Sequence, residues 1–188
     1  MKKLLSLLLF MALSVAMYAQ QDVTKFLGIP VDGTKTAMIQ KLKAKGFKYN
    51  SAYDLLEGRF NGSEVYLKIV TNGDKVNRIT VFDTTPTDIT NVRIKFNNLY
   101  GQFLNNKKYV PAVDSDQSIP NDENISYEMT VNKKRYEAAF LQVSPNETPG
   151  EDAAMRSVWF MIIEPIPGQY NIALFYDNLY NQANGEDL

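Results

Sequence analysis

Residues 33–47 read GTKTAMIQKLKAKGF, a helix with both of its ends written in. Thr34 or Thr36 can place a hydroxyl oxygen before a free backbone N–H at the start. Met38, Ile39 and Leu42 then recur at helical spacing and form a stripe to bury. Lys41, Lys43 and Lys45 crowd the last turn, where positive charge meets the negative end of the helix dipole. That match reads as a solvated helix end rather than an anion site. Gly46 suits the left-handed position that stops a helix, and Phe47 falls where an apolar residue closes back onto Leu42.

Two strand hairpins follow. Asn61-Gly62 and Asn72-Gly73 supply the positive φ that tight turns need. Val65, Leu67 and Ile69 share one side of their strand. On the next strand Ile79 and Val81 alternate with Arg78, Thr80 and Phe82. The stretch as a whole predicts a helix laid on an antiparallel meander, with one sheet face covered and the other partly wet.

Working outward, Asp88 to Asn105 reads as a second helix. Ile89, Val92, Phe96, Leu99 and Phe103 advance by three or four residues, and Tyr100 and Leu104 widen the stripe. At that spacing the stripe reads as core rather than a ligand groove. Residues 110–124, opening at Val110 and closing at Asn124, form a polar stretch that is long for a connection inside a compact domain, and they predict a mobile acidic loop. Within it Asp114, Asp116 and Ser118 have the first three spacings of a calcium loop. Ile119 then stands where the sharp turn needs glycine and Ile125 where the bidentate glutamate belongs, so no metal is expected.

The last third reads as strands at 125–131, 135–143, 158–164 and 169–176, with a polar tail. A second loop, opening at Ser144 and closing at Arg156, separates two of these strands. Tyr127, Met129 and Val131 alternate with polar residues. Residues 158–163, VWFMII, are apolar on both sides and predict a central strand covered on both faces. The expected fold class is α+β: two helices packed on an antiparallel meander sheet. A tandem α-β-β-β pseudo-repeat is a further expectation, with halves 34–83 and 87–177.

The N-terminus sets the compartment. Lys2 and Lys3 precede an apolar run from Leu4 to Met17, too short to span a bilayer, so residues 1–19 read as a secretory signal peptide and 20–188 as one α+β domain. Cleavage after Ala19 is preferred over cleavage after Ala16. With no cysteine in the chain there is neither a lipid-attachment thiol nor a disulfide, and no stable membrane anchor is expected. The expected location is the periplasm or the medium. The formal net charge is −1, and about −3 once Lys2 and Lys3 leave with the leader, which disfavours nucleic acid and anionic membrane surfaces as partners.

There is also no histidine. The usual general base near neutral pH, the thiolate nucleophile and the common zinc ligands are all missing. Carboxylates remain, and glycosidases work with a pair of them. Glu57, Glu64, Asp83, Glu128 and Glu164 are the strand-borne acids, but no spacing selects a pair, and each reads as a solvated or cross-strand-paired position. No catalytic residue and no cofactor are expected.

The helix-then-meander order, led by GTKTAMIQKLKAKGF, resembles the fold group of the β-lactamase inhibitor protein and of the SmpA/OmlA (BamE) outer-membrane assembly lipoproteins. The whole chain looks like small exported Gram-negative bacterial proteins of unknown function. The resemblance implies a fold and a tendency to bind proteins. The cysteines that stabilise the first family and anchor the second are absent, and no functional residue of either maps onto this sequence.

These readings converge on an exported, soluble, non-catalytic binding module whose partner is another protein. Eleven tyrosines and one tryptophan supply the side chains that interfaces favour. The loop from Val110 to Asn124, the loop from Ser144 to Arg156 and the open sheet face are the candidate partner-binding regions. The alternatives are a carbohydrate- or small-ligand-handling protein and a structural envelope component.

Overall fold

The computed structural model describes residues 22–144 and 150–183. The signal peptide read at 1–19 lies outside the described residues, as do the middle of the second loop and the end of the tail. A two-stranded hairpin, β1 (Lys25–Phe26) and β2 (Ile29–Pro30), comes first. Helix α1 (Lys35–Ala44) leads into β3 (Lys48–Asn50), β4 (Leu55–Phe60), β5 (Ser63–Asn72) and β6 (Lys75–Asp83). Helix α2 (Ile89–Leu104) leads into β7 (Tyr109–Pro111), a short helix α3 (Ile125–Thr130), β8 (Glu137–Gln142), β9 (Arg156–Ile166) and β10 (Gln169–Asn178).

The last eight strands form one antiparallel sheet in the order β3-β4-β5-β6-β10-β9-β8-β7. The class is therefore α+β on an antiparallel sheet, as the sequence predicts. Each long helix is followed by four sheet strands rather than three, and the two four-strand runs meet where β6 pairs with β10, Val81 opposite Leu174.

Local signals explain the first run. Thr34 caps α1 by accepting from the Ala37 N–H at 3.3 Å. Its end is a Schellman stop: the Phe47 N–H reaches the Leu42 carbonyl at 3.2 Å and the Gly46 N–H the Lys43 carbonyl at 3.0 Å, with Gly46 at φ +97°. Asn61 and Gly62 both have positive φ, as the tightest hairpin turn requires. The second turn sits one residue later than the sequence predicts. Asn72 still pairs with Lys75, and Gly73, at φ +54°, is the first of the two central residues.

Two stretches of the second run depart from the sequence reading. Val110 does not open a loop: it is the middle residue of β7, half-buried and paired opposite Leu141 of β8. A β-branched residue beside Tyr109 suits a pleated edge, so the sheet extends to Pro111, and the connection starts only after it. The strand predicted at 125–131 is instead helix α3. Asn124, expected as the last loop residue, caps that helix by accepting from the Tyr127 N–H at 3.1 Å. Ile125, fully buried, and Met129, half-buried, lie four residues apart and face inward, while Tyr127 and Val131 are more than half exposed. A strand at this register would have put Tyr127 and Met129 on the same side, so the inward pair follows the helical period and not the strand period.

One face of the sheet carries the core. Leu56, Leu67, Val81, Leu174, Phe160 and Ala138 stand in one cross-strand row, all 4% exposed or less. Met38 and Leu42 of α1 and Val92, Phe96, Tyr100 and Phe103 of α2 join the same cluster. Phe96 meets Phe160 edge-on at 4.9 Å, and Phe103 stacks on Phe140 at 4.8 Å. Each such fully buried ring is worth about 1.5–3 kcal/mol of transfer free energy. The β1–β2 hairpin closes one end, its Phe26 packed against Phe60 at 5.2 Å and Tyr176 at 5.0 Å.

Candidate binding face

Strand alternation sends the residues between the core positions to the opposite face, and no α-helix among the described residues covers them. Three cross-strand rows cross this face. The first runs Glu57, Tyr66, Phe82, Ala173, Met161, Glu137. The second runs Lys68, Thr80, Phe175, Trp159, Ala139, and the third Val70, Arg78, Asp177, Ser157, Leu141. Tyr66, Phe82, Phe175, Trp159, Met161 and Leu141 are all only half-buried. Residues 158–163 do lie apolar on both sides, but the expected second cover is missing among the described residues. Val158, Phe160 and Ile162 enter the core, whereas Trp159, Met161 and Ile163 face outward.

The centre of the face is fixed. Trp159 and Phe175 stack with ring centroids 4.1 Å apart. The Arg78 guanidinium lies 4.9 Å from the Phe175 ring and 5.6 Å from the Trp159 ring. It donates twice to the Asp177 carboxylate, at 2.6 and 2.7 Å, and the Trp159 indole N–H donates to the same carboxylate at 2.9 Å. The Asp177 carboxylate, 6% exposed, thus accepts three hydrogen bonds. The hydrogen bond to Asp177 raises the Arg78 pKa, and burial opposes the shift. The planar fork of arginine makes such a bidentate pair geometrically specific. The result is an aromatic platform whose rotamers are already set, so a ligand would find little side-chain entropy left to lose.

The candidate loops lie elsewhere. Of the first, Val110 belongs to β7 and Asn124 to the start of α3, and the connection between them is tied to α2 rather than free of contacts. Asn97 grips Ile119 with two hydrogen bonds, 2.8 Å to its N–H and 2.9 Å to its carbonyl, and Ile119 is buried in the core. The Arg93 guanidinium donates to the carbonyls of Asn121 and Glu123, the second at 3.1 Å. Asp116 turns its carboxylate onto Ser118, accepting from the N–H at 2.9 Å and the hydroxyl at 2.8 Å, and these bonds hold its pKa below the ordinary value. The two residues close a turn, and Asp114 is exposed on the same loop. Among the described residues no three histidines, cysteines or acids gather as a metal site. In the second loop, residues 145–149 lie outside the described residues, and Glu151–Met155 is a short 3-10 turn. Ser144 follows β8, and Arg156, expected at the end of the loop, instead opens β9 with its side chain buried.

The five acids are dispersed. Glu64 pairs with Arg59 at 3.2 Å and Asp83 with Lys95 at 2.8 Å. Glu128 sits on α3 and accepts from Asn132 at 2.8 Å, Glu164 accepts the Gly168 N–H at 2.7 Å, and Glu57 accepts from Asn50 at 3.5 Å. Sequence reasoning missed the Arg78–Asp177 pair. Its one linear signal is an acid inside the otherwise apolar run ALFYD of β10.

Among the described residues no helix is long and apolar enough to cross a membrane. No protein-family model, curated protein or solved structure matches the chain.

Proposed function

We propose that this is an exported, non-catalytic binding module that holds another protein on the uncovered sheet face. The observation that carries the reading is the Trp159–Phe175–Arg78–Asp177 cluster, a preset aromatic and arginine centre on a face that no described helix covers. Tryptophan, tyrosine and arginine dominate interface energetics when a partner excludes water from them, and all three types occupy this surface. Charge flanks the aromatic residues at the row ends, Glu57 and Lys68 on one side and Glu137 on the other, as polar groups do at the edge of a protein interface. The proposed signal peptide and the lack of a lipidation cysteine support a module free in the periplasm or the medium. The resemblance read from the sequence to the inhibitor and assembly-lipoprotein fold group is in keeping with a binding role, and the paired strand runs fit a duplicated ancestor.

The test is crosslinking in the native host. A photo-reactive amino acid at position 161, on the face, is expected to capture one recurring partner, and the same group at position 107, on the α2–β7 turn, is not. Trp159→Ala and Phe82→Ala in the purified protein should each weaken that complex at least tenfold while the fold persists. Retention of the complex by both folded variants removes this reading, and transfer of the crosslink to position 107 moves the interface off the sheet.

A further inference from the structure

On the other side of the sheet, two adjoining cavities lie where α2 overhangs the β4–β5 turn. One is about 460 Å³ and the other about 200 Å³, and Phe60, Asn61, Leu99, Gln102 and Leu174 wall both. Asn61 on the turn donates to Gln102 on α2 at 2.8 Å, spanning the groove where the two cavities adjoin. The smaller cavity is floored by Val65, Val81 and Ile172, and its charges, Lys95 and Asp83, neutralise each other at 2.8 Å. The larger ends among Lys25, Lys108 and Arg156, with Asp22 as the one acid among the described residues of its wall. Asp22 is shared: it accepts from Lys25 at 2.8 Å and from the buried guanidinium of Arg156. Burial pulls the Asp22 pKa upward, but the hydrogen bond and charge of Lys25, aided by Arg156, outweigh it and hold the group ionised. Lys108 has no carboxylate within ion-pair distance among the described residues.

The groove is therefore neutral at one end, over a floor of Val65, Val81 and Ile172, and among the described residues carries more positive than negative charge at the other, where Lys25 and Lys108 stand with the single acid Asp22. Its volume falls in the range of small-ligand pockets. We infer that it binds a free single-chain amphiphile with an anionic carboxylate head, a fatty acid. The head lies at Lys108 and Lys25, and the chain runs past Leu99 and Leu174 toward Val65 and Ile172. This site is distinct from the aromatic face and does not depend on it.

Titration of the exported protein with dodecanoate and with dodecanol, below micelle formation and read by calorimetry, tests the assignment. One equivalent of dodecanoate should bind, and at least tenfold more tightly than the alcohol. Lys108→Glu, at an exposed position, should remove that preference. Leu99→Trp should block both ligands, and Gln102→Trp on the rim gives a second blocking variant should the first misfold. Equal affinity for acid and alcohol, indifference to Lys108→Glu, or binding only to phosphatidylglycerol vesicles would each overturn the inference. So would an absence of binding by the folded protein. Loss of partner capture through Trp159→Ala leaves the groove untouched, so failures of the two readings are distinguishable.

Discussion

Trp159 and Phe160 are chain neighbours of similar chemistry, yet they stand on opposite faces of one strand. Phe160 has no exposure and is ringed by Phe96, Phe103 and Phe140. Trp159 has one aromatic neighbour, Phe175, and two polar ones, Arg78 and Asp177. The covered face is held together by exclusion of water and close packing of rings. The uncovered face uses directional contacts to hold a shape while keeping its rings reachable. Apolar residues on both sides of a strand thus need not mean burial on both sides, because stacking and hydrogen bonding can keep an exposed ring ordered.

The sharpest way to break this comparison is to truncate one ring from each face. Phe160→Ala removes a fully buried ring and should cost about 3–5 kcal/mol in denaturant unfolding; a loss below about 1 kcal/mol would mean that the core is not where the packing puts it. Gly58→Ala probes the covered face from the opposite direction. The added methyl would stand 2.6 Å from Cδ1 of the Phe47 ring, so overpacking of about 1–3 kcal/mol is expected in the same measurement. A neutral result would show that the ring rotates away freely.

Trp159→Ala should cost less, about 1–2 kcal/mol for lost stacking and one hydrogen bond, while near-ultraviolet circular dichroism loses the signal of the stacked pair. A stability loss as large as that of Phe160→Ala would erase the distinction between the faces. The smallest effect is at the hem of the covered face. Hydrogen bonds from Lys134 and then Tyr136 hold the Glu123 carboxyl below its ordinary 4.5. A depressed folded-state pKa gives stability that is present above that value and lost as pH falls through the lower one. The unfolding midpoints of the parent protein and Glu123→Gln should therefore differ near neutrality and converge as pH falls through the depressed carboxyl pKa.

The helices α1 and α2 are legible in the sequence because their signals are local. Thr34 and Gly46 act within four residues of the backbone they satisfy and do what their spacing predicts, and Asp88, where the second helix is expected to start, caps it by accepting from the Thr90 and Asn91 N–H groups. Residues 110–124 read as a mobile loop because what orders them is remote. Val110 is held by Leu141 some thirty residues later, and the anchors Asn97 and Arg93 lie on a helix 22 to 30 residues before the groups they hold. Helix α3 is hidden because Tyr127, Met129 and Val131 mimic a strand, and only the cap at Asn124 and the burial of Ile125 decide otherwise. Of the candidate binding face, the apolar run of β9 is legible. The cluster at its centre is not, since it depends on Arg78 pairing across to Asp177, a register that no single strand encodes.

The outermost strands of the sheet, β3 and β7, are three residues long, with the exposed Lys48 on one and Pro111 on the other. Short rims carrying lysine or proline offer a foreign strand few backbone groups to pair with. The sheet is thereby closed to sideways growth, so neither fibre formation nor strand donation is an easy route of association. A molecule docking on this protein would therefore have to read its side chains and not its backbone, and recognition of that kind can be retuned one substitution at a time while the scaffold stays as it is.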